Sequence, residues 1–373
     1  MIKRAYDLNK EIEKGKVVII YGARQVGKTT LIESFLKSTK LKYRYDTGDN
    51  FELSQTLSKC TYDTTDNHVG DYELIVIDEA QKIPNIGNAL KLMVDRFSKV
   101  CFIVTGSSSF DLANQTDESL TGRKKIISLY PISQLELSNI YAPSEITTNL
   151  EKYLIYGSYP EIIKEKTDAK KAEKIKMITN SYLIKDILEF DRVKNSEKIY
   201  NLLKLLSFQI GSEVSANELG QKLSIDTKTV LTYLDLLQKS FVIFKLSGFS
   251  RNLRKEVTKM SKYYFYDNGI RNALISNFNK IIDRDDVGRL WENFIIVERM
   301  KRNSIQKHYT NSYFWRTYDK DEIDLIEENS GKLFAYEIKW HNKNVKVPSV
   351  WKETYKNASY DIVNRDNYLK FVR

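Results

Sequence analysis

The chain is poor in the residues that interrupt or cross-link a fold. Five prolines and fifteen glycines occur in 373 residues, too few for long disordered linkers. Its two cysteines, Cys60 and Cys101, cannot build a disulfide framework, and their spacing offers no zinc site. No apolar run approaches the ~20 residues that a membrane helix needs. Residues 1–16 are charged and hold no apolar stretch followed by small residues, so no secretory signal is expected. Neither an internal repeat nor a low-complexity segment is visible. What is left is a multi-domain globular chain with no membrane partner, and the cytoplasm is its simplest location.

Charge and pattern are what the chain has. Its formal net charge is +10, which suits nucleic acid as a partner and equally suits a Lys-rich solvated surface. A hydrophobic fraction of 42% is enough for more than one core. Between residues 16 and 145 short apolar runs alternate with helical patterns. Lys16–Tyr21, Leu41–Tyr45, Leu74–Asp78, Val100–Thr105 and Lys125–Tyr130 read as strands, and Thr29–Lys37 as the helix after the first. That alternation predicts an α/β fold built on a parallel three-layer sheet. Residues 149–194 read as helical around a break at Gly157-Ser158-Tyr159-Pro160. Residues 196–247 read as three helices and a strand, Phe241–Leu246. From 263 onward, strands mix with one amphipathic helix, Val287–Arg299.

Gly22-Ala23-Arg24-Gln25-Val26-Gly27-Lys28-Thr29 fits the P-loop pattern in full and stands between a strand and a helix, as that pattern requires. Its backbone N–H groups, through Thr30, are expected to wrap phosphates at a helix N-terminus. Lys28 is expected on the β- and γ-phosphates of ATP, and the Thr29 hydroxyl on Mg²⁺. Asp78 and Glu79 close the apolar run LIVID, which delivers two carboxylates to the C-terminal edge of the sheet. Asp78 is expected to hold Mg²⁺ through water, and Glu79 to orient the attacking water. Ser107, with Thr105 as runner-up, is the expected polar sensor of the γ-phosphate. Arg123 is a candidate for reaching a neighbouring subunit's γ-phosphate, which requires a ring or at least a dimer. The plain alternative for Arg123 is a solvated basic turn.

Further along, Ser215 and Glu218 have capping-box spacing, and Asp226 or Thr227 caps a second helix with Val230, Tyr233, Leu234 and Leu237 on one face. Helix–turn–helix followed by a strand is winged-helix order. Lys228, Thr229 and Thr232 would then face outward toward phosphate or base. A rigid interaction module is the alternative. Near the C-terminus, residues 321–326 and 333–340 alternate around Ser330-Gly331 and read as a hairpin. With that turn, cross-strand partners sum to 661, so Asp324 faces Glu337, Glu322 faces Lys339 and Ile323 faces Ile338. Facing carboxylates destabilise a sheet unless something compensates, and a divalent metal would. Asp followed by Glu-x-Lys is the PD-(D/E)XK nuclease arrangement. Asp324 and Glu337 would bind Mg²⁺, Lys339 would help activate water, and Glu292 matches that fold's helix-borne acidic residue. Arg316 would add positive charge for a phosphate. The alternative is a solvated hairpin face with a Glu322–Lys339 pair.

YGARQVGKTT, VIDEAQ, TGSSS and YPIS, taken together, resemble the prokaryotic AAA-type ATPases that carry a fused C-terminal domain of unknown function. The resemblance extends over nearly the whole chain, including YFYDNGIRN at 264–272 and LWENF at 290–294. GSYPE at 157–161 is similar to the Gly-x-Pro element by which switch-type ATPases contact the nucleotide from their helical lid, which implies a contact from Pro160. The resemblance implies an AAA-like core over residues 1–145, a helical lid over 146–195, a winged-helix domain over 196–262 and a restriction-endonuclease-like domain over 263–373. ATP and Mg²⁺ are the expected cofactors; the basic balance and the Asp324, Glu337 and Lys339 grouping favour action on DNA, and Arg123 favours a ring-like oligomer. The alternative is a nucleotide-controlled switch that binds a protein partner and carries an inactive nuclease-like scaffold.

Overall fold

The VVIIY run forms a strand, β1 (Val17–Tyr21), buried at all five positions, as a strand covered on both faces must be. The computed structural model describes residues 2–106, 120–180, 196–250, 261–317, 321–342 and 345–373. They fall into two units. The first holds Lys3–Tyr130 with Lys239–Phe241, and the second Pro131–Gln238 with Val242–Arg373.

In the first unit β1 lies between β4 (Cys101–Gly106) and β5 (Lys124–Ser128). With β2 (Tyr43–Thr47) and β3 (Leu74–Asp78) the sheet order is β2-β3-β4-β1-β5, and every pairing is parallel. Strand alternation sends Val17, Ile19, Ile75, Ile77, Phe102 and Val104 to one face. There they pack with Leu53, Leu57, Leu90 and Met93 of the helices Phe51–Ser58 and Ile86–Arg96. Parallel order gathers the strand C-termini on one edge, where Tyr21 is level with Gly106 and Ile77 with Val104. The expected β2, Leu41–Tyr45, forms two residues later. It is an edge strand that is half-exposed, and pairing with β3 sets its ends rather than apolar content.

Among its described residues the second unit holds a seven-stranded sheet, ordered β12-β11-β10-β9-β7-β8-β6. Its strands are β6 (Glu213–Val214), β7 (Ile243–Gly248), β8 (Ser261–Phe265), β9 (Asn311–Arg316), β10 (Glu322–Asn329), β11 (Lys332–Ile338) and β12 (Ser359–Val363). Helices Ser196–Phe208, Ala216–Leu223 and Thr227–Lys239 precede β7 as expected. The boundary expected between residues 262 and 263 falls inside β8. β7 pairs in parallel with β9, so the last two expected domains share a sheet. Ser330 (φ 49°) and Gly331 (φ 77°) make the β10–β11 turn, a pair of positive φ values that suits a tight hairpin. The pairs from Leu325–Tyr336 to Asn329–Lys332 keep the predicted register. The amphipathic helix runs Val287–Ile305, past the expected Arg299. Its last turns are buried through paired polar groups: Lys301 Nζ lies 2.7 Å from Glu298 Oε1, and Asn303 Nδ2 donates to Glu327 Oε1 at 2.6 Å.

The expected break at residues 157–160 is a hydrogen-bonded knot. Gly157 has φ 79°, and a Cβ there would lie 1.9 Å from Asp267 Oδ1. Asp267 accepts the N–H groups of Ser158 at 2.7 Å, Gly269 at 2.8 Å and Ile270 at 3.2 Å. Burial raises its carboxyl above the ordinary range, against the pull of Lys301 and these donors. Gly157→Ala is expected to cost about 3 kcal/mol, because it combines a strained φ with a clash against a fixed carboxylate. Calorimetric melting checks this, and a midpoint within about one degree of the wild type would refute it.

Candidate nucleotide site and a buried charge cluster

After β1 the chain turns into residues 22–27. A Cβ at Gly22 would lie 2.1 Å from the Leu129 carbonyl oxygen, so that approach requires glycine. The helix Lys28–Leu36 then begins with no side-chain cap, which leaves its first amide N–H groups to an anion. Lys28 is buried, and its Nζ donates to the carbonyls of Gly22 at 2.9 Å and Ala23 at 3.1 Å. Arg4, which lies outside the P-loop pattern, donates to the Val26 carbonyl at 2.5 Å and the Tyr130 carbonyl at 2.8 Å. It fixes the back of the loop.

Asp78, at the end of β3, is where groups from β2, β4 and the P-loop helix meet. Its Oδ2 accepts the Thr29 hydroxyl at 2.8 Å and the Tyr45 hydroxyl at 3.2 Å. Its Oδ1 accepts the Thr105 hydroxyl and the Glu79 N–H at 3.2 Å. Burial and the Asp78 charge push the Tyr45 phenol up to about 12, so it stays a donor. Glu79 sits at φ 50°, ψ 41°, a left-handed conformation that costs a non-glycine residue roughly 1 kcal/mol or more. Its N–H donates to Thr105 Oγ1 at 3.0 Å, and Gln81 Nε2 donates to its Oε2 at 2.6 Å. These residues fit ATP with Mg²⁺: loop amides and Lys28 for phosphate oxygens, Thr29 and Asp78 for the cation, Glu79 for water.

The remaining sequence candidates fare differently. Thr105 is fully buried and its hydroxyl is committed to Asp78 and Glu79, so it positions other groups. Ser107 lies outside the described residues. Arg123 accepts the Val17 N–H at its carbonyl and pairs with Asp95. It therefore sits at the start of β1, roughly 16 Å of strand from Gly22, and does not reach its own subunit's site. Pro160 opens the helix Pro160–Lys164 in the second unit.

The C-terminal candidates converge in part. Lys339 Nζ lies 2.5 Å from Glu337 Oε1 and 3.4 Å from Asp324 Oδ2, which also accepts the Ile338 N–H at 2.7 Å. Glu292 is bonded to other partners, the Tyr264 hydroxyl at 2.7 Å and Lys262 Nζ at 3.4 Å. Lys262 also pairs with Glu322, so the expected Glu322–Lys339 pair does not form. Arg316 pairs with Glu213 at 2.9 Å and lies 4.0 Å from Glu322. Burial, with nearby Asp324, raises Glu292 to about 7 and moves Glu337 upward. Burial pulls the Lys262 ammonium down, but Glu292 and Glu322 outweigh it and the net shift is upward. Among the described residues no three acidic, His or Cys side chains are placed to hold one metal ion. The sequence reading called for metal to compensate the carboxylates; the structure supplies lysines. Lys262, in a strand buried at every position, carried no sequence signal.

Residues 14–138 match the family model described as AAA domain. Residues 147–281 and 287–369 match two models described as domains of unknown function, DUF8612 and DUF4143. An uncharacterized protein of Mycobacterium tuberculosis is 26% identical over 338 residues, covering 89% of this chain and 72% of that protein. An uncharacterized protein of Methanocaldococcus jannaschii is 23% identical over 388 residues, covering 97% and 85%. Among solved structures, domain III of the Thermotoga maritima replication initiation protein DnaA covers 59% of this chain and 83% of its own, at 12% identity and TM-score 0.26. A Thermotoga maritima RuvB mutant covers 62% and 82%, at 15% identity and TM-score 0.25. Scores this low carry no functional argument. The α/β first unit with its AAA match is an AAA-type P-loop domain. Among the described residues no helix is long and apolar enough to cross a membrane.

Arg4→Met is expected to raise the ATP KM about tenfold, since two hydrogen bonds that fix the loop are lost. ATP-dependent turnover measured against nucleotide concentration checks it, and an unchanged KM would show that the loop holds its shape without Arg4.

Proposed function

We propose that the first unit binds ATP with Mg²⁺ and hydrolyses it to ADP and phosphate. The Thr29–Asp78 hydrogen bond carries this reading. It joins the P-loop hydroxyl and the strand-end carboxylate at one point beside an uncapped helix N-terminus. Loop amides from Gly22 to Thr30 take phosphate oxygens, with Arg24 and Gln25 lending backbone N–H groups. Lys28 exchanges its two carbonyl partners for β- and γ-oxygens. Thr29 and Asp78 would hold Mg²⁺, which would supply charge neutralisation at the phosphates. Glu79, aimed by Gln81, accepts a hydrogen bond from the water that attacks the γ-phosphorus. The bridging oxygen leaves with ADP, and the water's proton goes toward Glu79. Because Arg123 sits at the far edge of its own sheet, its catalytic reading requires a neighbour's site and hence a ring-like oligomer or at least a dimer. Ser107 as sensor and Pro160 as a contact from the helical lid complete the proposal.

The second unit is read as acting on DNA, in the cytoplasm. Its order of helix, β6, helix, helix, β7 and β8, with β6 and β7 both antiparallel to β8, supports the winged-helix reading. Lys228 is exposed at the start of its helix. Thr229 is bonded to the capping Asp226, and the Thr232 hydroxyl donates to the Lys228 carbonyl, so phosphate contact is better supported than base reading. Asp324, Glu337 and Lys339 converge as a nuclease-like fold requires, while Glu292 is paired with Lys262. The switch that binds a protein partner is less supported. Its sequence element is engaged within the second unit, where the Ser158 N–H donates to Asp267 and Gly157 leaves room for that carboxylate.

Lys28→Ala is expected to lower ATP turnover at least 100-fold, the scale of a lost phosphate-clamping charge. Unchanged hydrolysis would sink the site. Turnover of the full chain, corrected with that variant, is expected to rise with one of single-stranded, duplex or branched DNA. Turnover that no DNA alters would move the assignment to the protein-partnered switch.

A further inference from the structure

Four carboxylates meet where β8, β10, β11 and the helix Val287–Ile305 come together: Glu292, Glu322, Asp324 and Glu337. Three of them are buried or nearly so: the side chains of Asp324, Glu337 and Glu292 are 9%, 8% and 14% exposed. Such a group cannot stay charged without cations inside it. Two ammonium groups are already there. Lys339 spans Asp324 and Glu337, and Lys262 spans Glu292 and Glu322. The Lys262 side chain is 2% exposed, and its Nζ lies 5.3 Å from the centroid of the Phe314 ring, a face that attracts a cation. Tyr264 donates to the same Glu292 oxygen that faces Lys262. The ammonium is thus enclosed by a carboxylate, a second carboxylate and an aromatic face.

A magnesium ion needs near-octahedral oxygen ligation and gives up its water reluctantly. The carboxylate oxygen left buried without a partner, among the described residues, is Oε2 of Glu337. That oxygen belongs to a carboxylate whose other oxygen lies 2.5 Å from Lys339 Nζ, and this ammonium repels a dication at the same group. Glu292 offers no better ligand, because its Oε1 already accepts from Lys262 and Tyr264 and a dication there would lie beside a buried ammonium that repels it.

We infer that Lys262 is a built-in cation that takes the place of a divalent metal in this cluster, so that the nuclease-like part of the sheet engages DNA without metal-dependent cleavage. The inference concerns the second unit, and its test runs without nucleotide, so it stands or falls separately from ATP hydrolysis.

The test compares thermal unfolding of the full chain with and without millimolar MnCl₂ or MgCl₂. The wild-type midpoint is expected not to move. Lys262→Met removes the charge and keeps most of the side-chain volume. It is expected to melt roughly 5–10 °C lower and to regain most of that loss with Mn²⁺, because the freed carboxylates then hold a metal. A wild-type midpoint raised by Mn²⁺, with the rise lost in Glu337→Gln, would overturn the inference. So would a folded Lys262→Met that ignores the cations. Where Lys262→Met does not fold, Mn²⁺ titration of the wild type followed by electron paramagnetic resonance decides: no bound Mn²⁺ at the cluster is expected. Bound Mn²⁺ that Glu337→Gln abolishes would refute it.

Discussion

The nucleotide site depends on one carboxylate. Asp78 ends β3 and receives hydroxyls from the P-loop helix, from β2 and from β4. Each donor arrives there because a parallel sheet brings strand C-termini to one edge. Those bonds orient Asp78 and at the same time fix the register of its neighbours. Thr105 then reaches back to the Glu79 N–H, which helps to hold Glu79 in a left-handed conformation that a glutamate would otherwise avoid. Backbone strain and carboxylate orientation are in this sense the same feature, and both are set before any nucleotide binds.

What the sequence made legible has a common physical basis. The P-loop, the strand-end Asp-Glu pair and the hairpin register are all local. Each is set by residues within about ten positions of one another, so pattern alone specifies them. Arg4, Tyr45, Lys262 and Asp267 were not legible. Their partners lie far along the chain: Arg4 with Val26 and Tyr130, Lys262 with Glu292 and Glu322, Asp267 with Ser158. A buried lysine has no signature in a single sequence, because type and spacing alone assign it to a surface. The shared seven-stranded sheet was missed for the same reason. The two expected domains also pair in parallel at Ser247–Tyr313 and Gly248–Phe314, between segments more than sixty residues apart.

The Gly157–Asp267 knot shows how one motif serves two readings. A glycine beside a serine and a proline resembles a nucleotide-contacting element. Its geometry here, with a positive φ and a carboxylate in the space of the missing Cβ, already accounts for Gly157 without any ligand. Proline at the first helical position likewise suits a helix start. The residue types are therefore explained by the second unit's own folding, and a contact from Pro160 to nucleotide must be argued from binding rather than from the motif.

The chain contains two acidic pairs that the sequence alone treats alike, Asp78 with Glu79 and Asp324 with Glu337. Their surroundings differ in kind. Asp78 is oriented by hydroxyl groups and an amide, which fix a carboxylate without cancelling its charge. Asp324 and Glu337 are oriented by an ammonium, with a second ammonium close behind. A dipole leaves a carboxylate able to attract a cation, whereas an internal cation has already used that attraction. Metal readiness is thus a property of the donors around a carboxylate more than of the carboxylates themselves. By that criterion the strand-end pair of the first unit is open to Mg²⁺, and the hairpin pair of the second is closed.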